Sequence, residues 1–201
     1  GSGFVQLLDN TDNDVDFNDT PTSNYATLNP LDAFTPNTLY DANLKSSNPV
    51  WGSAGNVFVN RTFGDDDNYY FEINIGKRGI SSNQQAYPHL TWNDDINFHS
   101  ALANTTSHSY WVDGKFDWDA GDVLRVRTVS KTQFDVSKNG GTFKRVQFPM
   151  TNSYKFGITN SDSSVAYWNF GQMPFVYSVP TGYTALQTNN LPEPTIKNGK
   201  E

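Results

Sequence analysis

Val165-Ala166-Tyr167-Trp168-Asn169-Phe170-Gly171 is the stretch whose reading decides the fold. Nearly every residue in it is apolar, β-branched or ring-bearing, and none follows a helical spacing. That pattern predicts a strand covered on both faces, deep inside a sandwich. Lys155-Phe156-Gly157-Ile158-Thr159 precedes it, and the turn formers Asn160-Ser161-Asp162-Ser163-Ser164 lie between the two. Their composition is that of a hairpin loop, so the two segments are expected to pair as neighbouring strands.

The next clearest strand lies upstream, at Tyr69-Tyr70-Phe71-Glu72-Ile73-Asn74-Ile75-Gly76. A period of two puts Tyr69, Phe71, Ile73 and Ile75 on one face and Tyr70, Glu72 and Asn74 on the other. Further strands are expected over residues 123–129, 133–137 and 142–148. The last two flank Lys138-Asn139-Gly140-Gly141, a hairpin signal because Asn and Gly both tolerate positive φ. Toward the N-terminus, short strands are expected at residues 25–31, 39–44 and 50–63. The last of these carries Val57, Val59 and Arg61 on one face and Phe58, Asn60 and Thr62 on the other. Residues 180–186 read as a final edge piece.

Fourteen Phe, ten Tyr and five Trp in 201 residues supply the burial, while Asn, Asp, Ser and Thr supply the turns. An all-β chain of this length is expected to be one domain, here residues 4–191. Gly1-Ser2-Gly3 reads as a cloning remnant, and residues 192–201 as a tail or linker. A formal charge of −7 argues against nucleic acid and anionic membranes, both of which call for a basic patch. No apolar run approaches the roughly 20 residues of a membrane span, and no signal peptide opens the chain. Cysteine is absent, so neither a disulfide framework nor a thiolate metal site can form.

Several motifs invite a chemical reading. Asp12, Asp14 and Asp16 have the one-three-five spacing of a calcium loop, but Phe17 stands where glycine makes the turn and Ser23 where a glutamate closes the site. The stretch reads as a solvated acidic edge, with calcium the one cofactor candidate. Asp65-Asp66-Asp67-Asn68 is a turn whose carboxylates are expected to be hydrated rather than metal-bound. His89, His99 and His108 are nine or ten residues apart, too dispersed for a metal pair. Residues 81–109 form a long polar and aromatic insertion, and a loop of that length in a compact domain points to function. Within it Tyr87, His89, Trp92, Asn93, Asp94, Asp95 and His99 mix rings with amides and carboxylates, as ligand sites on sandwiches do. The alternative is that Tyr87 and Trp92 fold inward as a plug.

In order along the chain, Tyr70-Phe71-Glu72-Ile73, Ser109-Tyr110-Trp111 with Asp113-Gly114-Lys115, Gly121-Asp122-Val123-Leu124, Phe134 with Ser137-Lys138-Asn139-Gly140, and Asn169-Phe170-Gly171 with Pro174-Phe175 resemble a SPRY domain. The resemblance implies an all-β fold, a two-sheet antiparallel β-sandwich of the concanavalin-like jelly-roll type, used for recognition. It departs at Thr128-Val129-Ser130-Lys131, where the family has a shorter connector. Residues 19–31 and 180–196 also resemble the segments that frame such modules in structural proteins of tailed bacteriophages. This second likeness implies a virion protein: a tail-fibre, receptor-binding or capsid-decorating domain that binds a host-surface glycan or protein, or another virion protein, on the particle surface.

Sandwiches of this class also include polysaccharide depolymerases, the alternative function. Asp117, Asp119 and Asp122 have the spacing of the acidic strand in laminarinase-like enzymes, where two carboxylates act as nucleophile and acid. All three are Asp, and Gly121-Asp122 falls where the SPRY pattern puts a turn. The turn reading is therefore preferred, and the expectation is a non-enzymatic module with no catalytic residues.

Overall fold

A computed structural model of the chain describes residues 24–33, 38–48, 54–77, 89–93, 98–101, 112, 118–147, 153–161 and 164–187. Among them are thirteen strands and no helix. One sheet has five strands in the order β1 (Leu28–Ala33), β4 (Ala54–Phe63), β11 (Tyr154–Ser161), β6 (His89–Asn93) and β7 (Phe98–Ala101). The other runs β10 (Lys144–Gln147), β9 (Gln133–Lys138), β8 (Val123–Ser130), β5 (Tyr69–Lys77), β12 (Val165–Asn169), β3 (Lys45–Ser47) and β2 (Thr38–Tyr40). Its eighth strand, β13 (Thr184–Ala185), lies parallel beside the start of β5, and every other pairing is antiparallel. The architecture is the expected concanavalin-like sandwich.

Strand alternation builds the core. Phe71, Ile73 and Ile75 of β5 point inward with Leu124 and Val126 of β8 and Phe134 and Val136 of β9. Phe63, Tyr154, Phe156 and Ile158 face them from the other sheet, all fully buried. Ring contacts tie the layers together: Phe156 meets Phe71 at 5.3 Å, Phe134 at 5.0 Å and Trp168 at 6.1 Å between centroids. Such edge-to-face pairs add to the stabilisation that burial already gives. Phe71, Ile73, Val123, Val126, Phe134, Phe156, Ile158, Trp168 and Phe170 are all buried.

Three expectations are corrected. The segments on either side of residues 160–164 do not form a hairpin: β11 pairs with β4 and β6, whereas β12 pairs with β5 and β3 in the opposite sheet. The connection is an arch held by buried polar groups. Asn48 Nδ2 donates to the Asn160 carbonyl at 3.1 Å, and the Asn48 N–H donates to the Ser164 carbonyl at 3.3 Å. Nor is β12 covered on both faces, because Ala166 and Trp168 point inward while Tyr167 is 41% exposed. The insertion at residues 81–109 is not simply a loop, since β6 and β7 within it extend the five-stranded sheet. Residues 184–185 are the expected edge piece: β13 pairs with β5 alone, on the side that β12 leaves free beyond Asn169.

The hairpin signals hold. Asn139 (φ 49°) and Gly140 (φ 78°) turn β9 into β10. Between β8 and β9 the register shifts after Thr128, at the connector where the sequence departs from the SPRY pattern.

Candidate recognition surface

Beyond β12 the chain reverses at Gly171, whose φ of 112° and close approach to Ala185 leave no room for a side chain. Asn169 and Gln172 fix this reversal: Asn169 Oδ1 accepts from the Gly171 N–H at 2.9 Å, and Gln172 Oε1 accepts from the Phe170 N–H at 2.7 Å. Residues 174–183 then cross the outer face of the larger sheet as a strap. Phe175 packs its ring edge-on against Tyr70, 4.9 Å between centroids. Beneath the strap the Glu72 carboxylate, 2% exposed, accepts from the backbone N–H groups of Val176 and Tyr177 at 2.9 Å each and from the Tyr70 hydroxyl at 2.7 Å. Burial, reinforced by this bond, raises the Tyr70 pKa well above the usual tyrosine value.

Alongside the strap, a row of charge crosses β10, β9 and β8. Asp135 is buried between Arg127 and Arg145 and takes bonds from both guanidinium groups. The Phe143 ring lies between Arg127 (4.3 Å) and Arg125 (4.6 Å), with Tyr183 and Tyr177 flanking the stack. Each ring face is electron-rich, so the stacked cations are held without a further carboxylate.

The strap leaves the β5-β12-β3-β2 half of this face open. There the register aligns Asn74, Tyr167, Lys45 and Tyr40 in one cross-strand row. The Lys45 ammonium sits 5.2 Å from the Tyr167 ring centroid and 5.4 Å from that of Tyr40. Tyr40 is 46% exposed, and Asn74 is exposed beside Tyr167. Two strand spacings separate the rings, about 10 Å. Tyr167 lies flat over Gly76: a Cβ there would come within 2.2 Å of the ring. The row therefore offers two half-exposed rings, an exposed amide and a partly exposed ammonium that also lies 4.0 Å from the Asp41 carboxylate.

Of the residues singled out from sequence, those described belong to the five-stranded sheet. His89, Trp92 and Asn93 lie on β6 and His99 on β7, while Tyr87, Asp94 and Asp95 lie outside the described residues. Trp92 stands in register with His99 on one side and Phe156 on the other. His89 and Asn93 register with Thr159 and Lys155. The calcium candidates Asp12, Asp14 and Asp16 also lie outside the described residues. Among the described residues, no group of three or more His, Cys, Asp or Glu side chains is placed to hold a metal.

The remaining acidic motifs serve the fold. Asp122 closes the turn before β8, where its carboxylate accepts from the Asp119 N–H at 2.7 Å and from Asn139 Nδ2 at 2.6 Å. This is the turn reading of the laminarinase-like spacing. In the Asp65–Asp67 turn, Asp67 pairs with Arg61 at 3.1 Å and Asp65 with Lys131 at 3.1 Å, so two of its three carboxylates are ion-paired rather than merely hydrated. The signal for the tyrosine row was present in the sequence, since alternation around Trp168 puts Tyr167 on the opposite side.

No family model matches the sequence, and no curated protein is similar to it. Solved structures are. The SPRY domain of human HERC1 superposes with a TM-score of 0.53 at 13% identity, covering 73% of this chain and 99% of that one. The chain has a SPRY-like fold. The PSpry domain of TRIM65 gives 0.47 at 10% identity over 72% of this chain and 89% of its own. Carbohydrate-binding module CBM66 from Bacillus subtilis gives 0.44 at 13% identity over 69% and 92% respectively.

Proposed function

We propose that this SPRY-like domain is a non-catalytic recognition module that holds a glycan against the row Asn74-Tyr167-Lys45-Tyr40, and that it serves on the particle of a tailed bacteriophage as a tail-fibre, receptor-binding or capsid-decorating component. The observation that carries the binding reading is the pair of half-exposed tyrosines flanking one ammonium on an otherwise roofed sheet face. Exposed rings receive the C–H face of a sugar, while Lys45 and Asn74 bond its oxygens. The strands beneath are rigid, so little ordering is lost on binding. The particle assignment rests on the likeness of residues 19–31 and 180–196 to segments framing phage modules.

A depolymerase needs two carboxylates facing one cleft. Of the acidic groups in and beside the two sheets, Glu72, Asp135 and Asp122 are each bonded to two or more donors, which favours binding over catalysis. The test is a glycan and host-cell binding screen of the wild type beside Tyr167→Ala and Tyr40→Ala, with reducing ends assayed in parallel. Binding that both variants weaken supports the proposal. Undiminished binding in the variants removes the tyrosine row from it, and released reducing ends replace it with the depolymerase.

A further inference from the structure

A second opening lies away from the tyrosine row. The incoming segment at Tyr25 and the outgoing one at Gln187 meet through a β-bridge, and the Ala26 N–H donates to the Leu186 carbonyl at 3.0 Å. Between these segments and β4 is a cleft of about 270 Å³, lined by Asn24, Tyr25, Asn60, Arg61 and Gln187 over a floor of Ala26 and Leu186. Its volume falls just below the range of about 300–1,000 Å³ usual for drug-sized ligands, so it suits a single small ring.

The chemistry of the lining selects the class of ligand. Arg61 occupies an inward position on β4 and is held rigidly. Its Nη2 donates to Asp67 at 3.1 Å and to the Tyr69 hydroxyl at 3.3 Å, and the guanidinium lies 4.8 Å from the Tyr69 ring centroid. Nη1 has no partner among the described residues, and Nε is buried without one. Asp67 already balances the positive charge, so what remains is a set of oriented N–H donors rather than a net cation. Asn60, next to Arg61 in the strand and so on the opposite face of β4, exchanges side-chain bonds with Thr27. Charge-balanced N–H donors beside a half-buried ring and an apolar floor match hydroxyls on a carbon ring better than a carboxylate. The protein's charge of −7 further disfavours an anion.

We propose that the cleft between the Tyr25 and Gln187 segments binds a neutral, hydroxyl-rich ligand the size of one sugar ring, with Arg61 bonding its oxygens and Tyr25 contacting its carbon face. The assignment is independent of the tyrosine row, since it rests on other residues in another part of the molecule.

The experiment is an NMR titration of the isotope-labelled chain with glucose, galactose and mannose, and with acetate and glucuronate as anionic controls. The Ala26 and Gln187 backbone amides should shift saturably with at least one neutral hexose, with a dissociation constant around a millimolar. Arg61→Lys keeps a cation for Asp67 but loses Nη1, and should weaken binding about tenfold. Tyr25→Leu, which spares the ion pair, should also weaken it, whereas Tyr167→Ala should leave it unchanged. The proposal is overturned if no neutral hexose shifts these amides, if only the anions do, or if both Arg61→Lys and Tyr25→Leu bind as the wild type does.

Discussion

Tyr70 and Glu72 stand two residues apart on the outer face of β5, and the Tyr70 hydroxyl donates to the Glu72 carboxylate at 2.7 Å. With the Val176 and Tyr177 N–H groups completing its coordination, Glu72 latches the strap to the sheet from more than a hundred residues away in sequence. Glu72→Ala leaves three donors without an acceptor under a covered surface. Its expected cost is about 3 kcal/mol or more, read as a lowered midpoint in urea. Glu72→Gln keeps one acceptor oxygen and should cost less. Equal stability of Glu72→Ala and wild type would mean that the strap is not held by this group.

The same neighbourhood fixes a response to alkali. Burial raises the pKa of Tyr70 and Tyr154 well above the usual 10.0 and that of Tyr69 above it as well. The folded state therefore keeps protons that the unfolded chain gives up near pH 10, and folding loses stability as pH rises beyond that point. Below about pH 10 this contribution is intact. Part of the tyrosinate absorbance, that of Tyr69, Tyr70 and Tyr154, should therefore rise only as tertiary structure is lost. A single step completed while the chain is still folded would contradict the burial of these hydroxyls.

Asp135 is the other buried carboxylate of this face, 3% exposed between two arginines. Removing it in Asp135→Ala strands both cations on a partly buried surface, at an expected cost of about 3–5 kcal/mol. Arg145→Lys loses the two-pronged contact and should cost about 1–2 kcal/mol. Thermal melts of both variants check the order. An Asp135→Ala protein as stable as wild type would show that the pair contributes only as a surface ion pair does.

Local pattern carried the fold a long way. The period of two in β5 gave both of its faces, and Asn139-Gly140 gave the β9–β10 turn, because alternation and turn geometry are decided within a few residues. What pairs with what was less visible. The turn formers at residues 160–164 suit an arch between sheets as well as a hairpin, and the choice is made by Asn48, more than a hundred residues upstream. The strands β6 and β7 are only five and four residues long, so the alternation of Leu90 and Trp92 is too brief to set a strand apart from a loop. For the proposed binding surface the trace is fainter still, while polarity and rings draw attention to residues 81–109. Tyr167 and Tyr40 become neighbours of Lys45 only through pairing between distant strands.

Gly76 allows the tyrosine row to be tested without touching the core. A Cβ added there would fall 2.2 Å and 2.8 Å from two atoms of the Tyr167 ring, an impossible approach that a surface side chain relieves by swinging away. Gly76→Ala should therefore displace Tyr167 from the strand and misplace one of the two stacking faces. The packing that the ring gives up against β5 is offset by the smaller backbone entropy of alanine, so stability should change by no more than about 1 kcal/mol. Glycan affinity should nevertheless fall about tenfold, the effect of removing one well-placed ring from the ligand. Calorimetric titration beside a thermal melt separates the two quantities. Full affinity in Gly76→Ala with an unchanged melt would mean that Tyr167 does not touch the ligand, and the row would lose its role as the binding surface.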